Sequence, residues 1–103
     1  MELNFEIKEA QNSLLILLKG DLDAYTCNSL KENVEEMLKD RVVDIYIDAK
    51  ELDYIDSTGL GTIIGIYKIL KEDDKQIYME NLKPNVRKMF KITDLDQIIH
   101  IKE

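Results

Sequence analysis

Val42-Val43-Asp44-Ile45-Tyr46-Ile47-Asp48, then Asp56-Ser57-Thr58-Gly59-Leu60-Gly61, then Thr62-Ile63-Ile64-Gly65-Ile66-Tyr67-Lys68-Ile69-Leu70-Lys71 read as a strand, a junction and a helix. The first run is rich in β-branched and apolar residues, as a strand is. The helix, expected over about 57 to 72, places Leu60, Ile63, Ile64, Tyr67 and Leu70 on one broad apolar face. Ile66 falls at the margin of that face and Ile69 points away from it. Lys50-Glu51-Leu52-Asp53-Tyr54-Ile55 is expected to be a link between strand and junction. Strands that alternate with helices build an α/β or mixed sheet.

The same pattern extends in both directions. Leu3, Phe5 and Ile7 alternate with polar residues and predict a first strand over 3–8. Gln11-Asn12-Ser13 marks a turn. Residues 14–19 are apolar almost throughout and predict a second strand buried on both faces. Gly20-Asp21-Leu22-Asp23-Ala24-Tyr25-Thr26 is a polar connection to a helix over about 26–39. That helix carries Cys27, Leu30, Val34, Met37 and Leu38 on one face, with Thr26 or Asp23 as its cap. Downstream, residues 76–80 read as a strand. Pro84 suits the first turn of a third helix anchored by Val86, Met89 and Phe90. Residues 98–101 read as a last short strand. The order β-β-α-β-α-β-α-β predicts one α/β domain over 1–103, a single mixed sheet with an N-terminal antiparallel hairpin and right-handed βαβ crossovers.

Composition excludes several function classes. The chain has 103 residues, 21 acidic against 14 basic, and a formal net charge of −7. Nucleic-acid binding needs basic patches, so no nucleic acid is expected as a partner. No apolar run reaches the roughly 20 residues of a membrane span. The N-terminus lacks the basic and apolar regions of a signal peptide, and Cys27 has no second cysteine to pair with, so a cytoplasmic location is expected. One Cys and one His, far apart, point away from a transition-metal site and from a Cys–His nucleophile, and no cofactor is expected. The tyrosines at 25, 46, 54, 67 and 78 are spread along the chain and suggest no stacking platform.

Function therefore turns on the junction. Ser57 lies where a helix begins, a place with unpaired N–H groups and partial positive charge that can hold a phosphate. Its hydroxyl is either a helix cap or a site of modification. Gly59-x-Gly61 resembles a fragment of a phosphate loop, but neither Gly-x-x-x-x-Gly-Lys nor Gly-x-Gly-x-x-Gly is present. Ile55 stands where Gly-x-Ser-x-Gly needs glycine, and no histidine is near, which argues against a serine hydrolase. Asp21, Asp23, Asp53 and Asp56 could share one end of the sheet as a cation-binding cluster, a docking patch or a solvated rim. Gly61 and Gly65 either admit another chain close to the helix or relieve packing inside the domain.

The chain resembles the STAS domain of the bacterial anti-sigma factor antagonist type over nearly its whole length. Gly20-Asp21-Leu22-Asp23, Asp56-Ser57-Thr58-Gly59-Leu60-Gly61 and the order of strands and helices carry the resemblance. It implies a STAS fold with about three or four helices on the sheet, and a protein that is not itself an enzyme. It implies partner switching: the unmodified protein binds an anti-sigma factor that is also a serine kinase, and the sigma factor is released. The kinase phosphorylates the serine and ends the complex; a serine phosphatase resets it. Carried over by position, Ser57 is the phosphoacceptor, Thr58 the less favoured hydroxyl, and Asp56 the flanking acid. Asp21 and Asp23 lie near the partner surface, which is expected to include Gly59 and Gly61. The alternative is a STAS scaffold or accessory subunit of a signalling or transport complex that uses the same surface without phosphorylation.

Overall fold

The structure, a computed structural model, describes residues 2–102. Strands β1 (Leu3–Glu9) and β2 (Ser13–Leu22) form the expected hairpin. There follow helix α1 (Cys27–Leu38), strand β3 (Asp44–Ile55), helix α2 (Ser57–Lys71), strand β4 (Ile77–Glu80) and helix α3 (Pro84–Ile92). A 3-10 turn (Leu95–Gln97) leads to strand β5 (His100–Ile101). The sheet order is β1-β2-β3-β4-β5, antiparallel only between β1 and β2. When parallel strands advance in one direction through crossovers of one hand, their helices fall on one face. Burial follows that rule. Leu14, Ile16, Leu18, Ile45, Ile47, Ile77 and Met79 are buried, whereas Leu15 and Tyr46 on the other face are exposed.

Three expectations need correction. Strand β2 is buried on one face only, because every helix lies on the same side of the sheet; its apolar odd-numbered residues line the bare face. The stretch expected to link β3 to the junction is strand. Opposite it, Leu17 pairs with Asp48 but Lys19 pairs with Glu51, and Gly20 pairs with Leu52 but Asp21 with Tyr54. Strand β3 thus carries an extra residue twice, and each bulge breaks the two-residue period. The buried positions become Ala49, Leu52 and Ile55, a spacing of three that reads as a linker. Third, on the bare face Tyr46, Tyr78 and His100 are neighbours in register. Their rings stack with centroids 4.8 and 4.9 Å apart, so three aromatic side chains distant in sequence do gather.

Helix α2 is rotated slightly from the expected face. Ile66 is buried at the core, while Ile64 and Tyr67 are only partly covered. Cys27, Leu30, Val34 and Leu38 of α1 are buried as expected, and so are Val86 and Phe90 of α3. Gly20 has φ +107°, and a Cβ there would collide with the Glu2 carbonyl, which also accepts the Asp21 N–H at 2.8 Å. That glycine lets β2 pass close under the start of β1 before it turns into the Asp21–Thr26 connection.

Candidate functional site at the start of α2

Strands β2 and β3 end side by side, with Asp21 beside Tyr54 and Leu22 beside Ile55. The carboxyl ends of parallel strands are where ligands and partners are received in open α/β sheets. From β3 the chain turns at Asp56, whose N–H donates to the Leu22 carbonyl at 3.3 Å. Asp56 is extended, and its carboxylate accepts the Gly59 N–H at 2.9 Å. It is therefore the helix cap. Ser57 is the first residue of α2 rather than its cap, which corrects one of the two readings of its hydroxyl. Ser57 and Thr58 are exposed. The Ser57 hydroxyl has no hydrogen-bond partner among the described residues, nor do the N–H groups of Ser57 and Thr58. Two open donors at the positive end of a four-turn helix surround an accessible hydroxyl.

The glycines of the junction divide by task. Gly59 is buried; a Cβ on it would strike the Leu22 carbonyl oxygen and stand 2.8 Å from Ile55 Cγ1. It allows α2 to start against the end of β2, which is an internal structural task. Gly61 is exposed, and no atom lies within 4 Å of a Cβ built on it or on Gly65. Packing relief inside the domain therefore has no atom to justify it at either position, and Gly61 leaves a smooth, open patch one turn along from Ser57.

The acidic residues do not act together. Asp23 is buried. Its carboxylate accepts the N–H groups of Tyr25 at 2.9 Å and Thr26 at 3.2 Å, as an Asx turn does. The Thr26 hydroxyl accepts from the Asp23 N–H at 2.9 Å and donates to the Asp21 carbonyl at 2.8 Å. Asp21 is half-buried beside this turn. Asp53 is paired with Lys83, and its carbonyl accepts from Asn85, so it ties β3 to the start of α3. Among the described residues no group of three or more His, Cys, Asp or Glu could hold a metal ion. The carboxylates of Asp23, Asp53 and Asp56 each have their own structural partner, which spacing along the chain did not reveal.

One residue of this rim was not singled out by sequence. Tyr25, held by the Asp23 turn, is 89% exposed. Its signal in the sequence is an aromatic side chain belonging to neither the strand nor the helix period around it.

A family model for the STAS domain matches residues 4–103. The anti-sigma-B factor antagonist of Staphylococcus aureus is 34% identical over 103 residues, covering 100% of this chain and 95% of that protein. The anti-sigma-B factor antagonist of Bacillus subtilis is 33% identical over 101 residues, covering 98% and 92%. Among solved structures, the anti-sigma factor antagonist SpoIIAA in its unphosphorylated form superposes with a TM-score of 0.77 at 18% identity, over 97% of this chain and 88% of that one. The phosphorylated form of the Bacillus SpoIIAA gives 0.77 at 20% identity, over 97% and 92%. Fold, junction and relatives agree: the chain belongs to the STAS domain family, which includes the anti-sigma-B factor antagonists.

Proposed function

We propose that residues 1–103 act as one STAS domain and serve as an anti-sigma factor antagonist in the cytoplasm, switched by phosphorylation of Ser57. The observation that carries this reading is the accessible, unbonded Ser57 hydroxyl at the first position of α2, beside a cap that does not need it. The unmodified protein binds an anti-sigma factor that is also a serine kinase, through Ser57, Thr58, Gly61 and the adjoining Asp21 and Asp56. Asp23 and Gly59 contribute by holding that surface in shape. The chain itself catalyses nothing; the kinase and a serine phosphatase perform the chemistry.

The physics of the switch is local. A phosphate adds about −1.5 to −2 charges at pH 7. The helix N-terminus and its two open N–H groups offset part of that charge, so the fold has no reason to change. The likeness to SpoIIAA supports this, since this fold matches the phosphorylated and unphosphorylated forms equally well. At an interface the same phosphate must be stripped of water next to Asp56. An unpaired buried charge costs roughly 2–5 kcal/mol, on the order of 30-fold to several thousand-fold in affinity.

Incubation with the anti-sigma factor kinase of the same organism and ATP, followed by site mapping by mass spectrometry, tests the proposal. Phosphate on Ser57 is expected. Modification of Thr58 or Ser29 with Ser57 bare would overturn the assignment. Tight binding of the kinase without any phosphate transfer would favour the unphosphorylated scaffold.

A further inference from the structure

Tyr25 is the most exposed large hydrophobic residue among those described, and Tyr54, at 45%, is another. Both border the Ser57 junction. The turn that holds Tyr25 is fastened to the Asp21 carbonyl through Thr26, and Asp21 is the strand neighbour of Tyr54. Tyr25 follows Leu22 by three residues, so their Cα atoms lie within about 11 Å, and the Leu22 carbonyl receives the Asp56 N–H. Tyr54 precedes Ser57 by three residues and lies within the same reach. The backbone of Tyr25 is not free: the buried Asp23 carboxylate binds its N–H, and Cys27 N–H closes the turn on the Asp23 carbonyl at 2.9 Å. A bulky phenol held out into water on a fixed backbone loses little freedom when a partner covers it, and tyrosine is among the residues that most often dominate binding energy.

We propose that Tyr25 is the anchor by which this surface seats its protein partner. The inference rests on the antagonist reading above. It assigns the anti-sigma factor a pocket beside its Ser57 contact, with apolar walls for the ring and a polar group for the phenol. Phosphorylation reaches the anchor through the water around it. A phosphate on Ser57 keeps its water, and a rim that stays wet cannot surround Tyr25 with a dry seal. The phosphate and the loss of the ring then remove the same part of the binding energy, so their effects must be less than additive.

The experiment is calorimetric titration of the same organism's anti-sigma factor kinase, held in a non-hydrolysable ATP analogue. The chains are wild type, Tyr25→Ala, Tyr25→Phe, Ser57→Asp, the Tyr25→Ala/Ser57→Asp pair, and Tyr46→Ala as a bare-face control. Tyr25→Ala is expected to bind roughly 30-fold more weakly, the loss typical of an anchor residue. Tyr25→Phe should retain most of the affinity, and Tyr46→Ala all of it. Ser57→Asp should cost less in the Tyr25→Ala chain than in wild type. If wild type binds but Tyr25→Ala loses less than about tenfold, the anchor is wrong while the antagonist reading stands. Additive effects of the two substitutions would refute the shared seal. If wild type does not bind, the antagonist reading fails and the anchor with it.

Discussion

Asp56 and Ser57 are adjacent, polar and at the same helix end, yet the structure gives them opposite energetic roles. Asp56 closes the helix through its bond to the Gly59 N–H. Asp56→Ala should therefore lower stability by about 1 kcal/mol, and Asp56→Asn by much less. Ser57 makes no such bond, so Ser57→Ala should change stability by less than about 0.5 kcal/mol while abolishing phosphorylation. Urea denaturation of the three variants checks both statements; a loss at Ser57 equal to that at Asp56 would show that the hydroxyl is the true cap. Sequence alone located this pair but left the hydroxyl with two readings. A run of Asp-Ser-Thr offers three possible caps, and only the backbone dihedral of Asp56 picks one.

The four glycines of the chain sort in the same way when the elements around them are considered. Gly59 stands where α2 meets the end of β2. Gly59→Ala drives a methyl into backbone and should cost about 1–3 kcal/mol or more. Gly61 and Gly65 face open space on a regular helix, so Gly61→Ala and Gly65→Ala should each stabilise the fold by about 0.4–1 kcal/mol. Thermal denaturation read by circular dichroism decides between these signs. A stabilised Gly61→Ala chain with normal kinase binding, set against weakened binding of Gly61→Arg, would show that the patch needs to be unobstructed rather than flexible. Most elements were legible because their apolar periods are clean: 3, 5, 7 in β1 and 27, 30, 34, 38 in α1. The second half of β3 was not, because two bulges turned a period of two into a period of three. Sequence sets the face of α2 slightly off, with Ile66 at its margin and Ile64 inside it, because both are isoleucine and hydropathy cannot rank them. Asp23 offers itself in sequence as a helix cap or as part of an acidic rim, because nothing in its neighbours shows that its carboxylate turns inward.

Taken whole, the molecule separates the surface that is switched from the body that stays put. Phosphorylation should shift amide resonances mainly over residues 54–62 and in the adjoining 22–26 turn, which is bonded to Asp56 through Leu22. The ladder of Tyr46, Tyr78 and His100 on the bare face should not respond. Heteronuclear spectra of the two forms test this; shifts spread through β1 or β4 would mean that the strands rearrange and the switch is not local. Partner affinity should also fall when Ser57→Asp is compared with wild type, without any change in the unfolding free energy beyond about 0.5 kcal/mol.

The strand order has a further consequence, for how the chain reaches its fold. Each strand from β2 onward docks on the one made just before it, and none is inserted between two others. The order of neighbours in the sheet is thus the order of synthesis. Every pairing joins strands that are successive in the chain, so no loop longer than a single crossover has to close before a strand docks. The Leu22–Asp56–Gly59 junction draws only on β2, β3 and α2, so its bonds can close before β4 and β5 dock. A folding chain can thus complete the surface proposed for its partner before it completes its sheet.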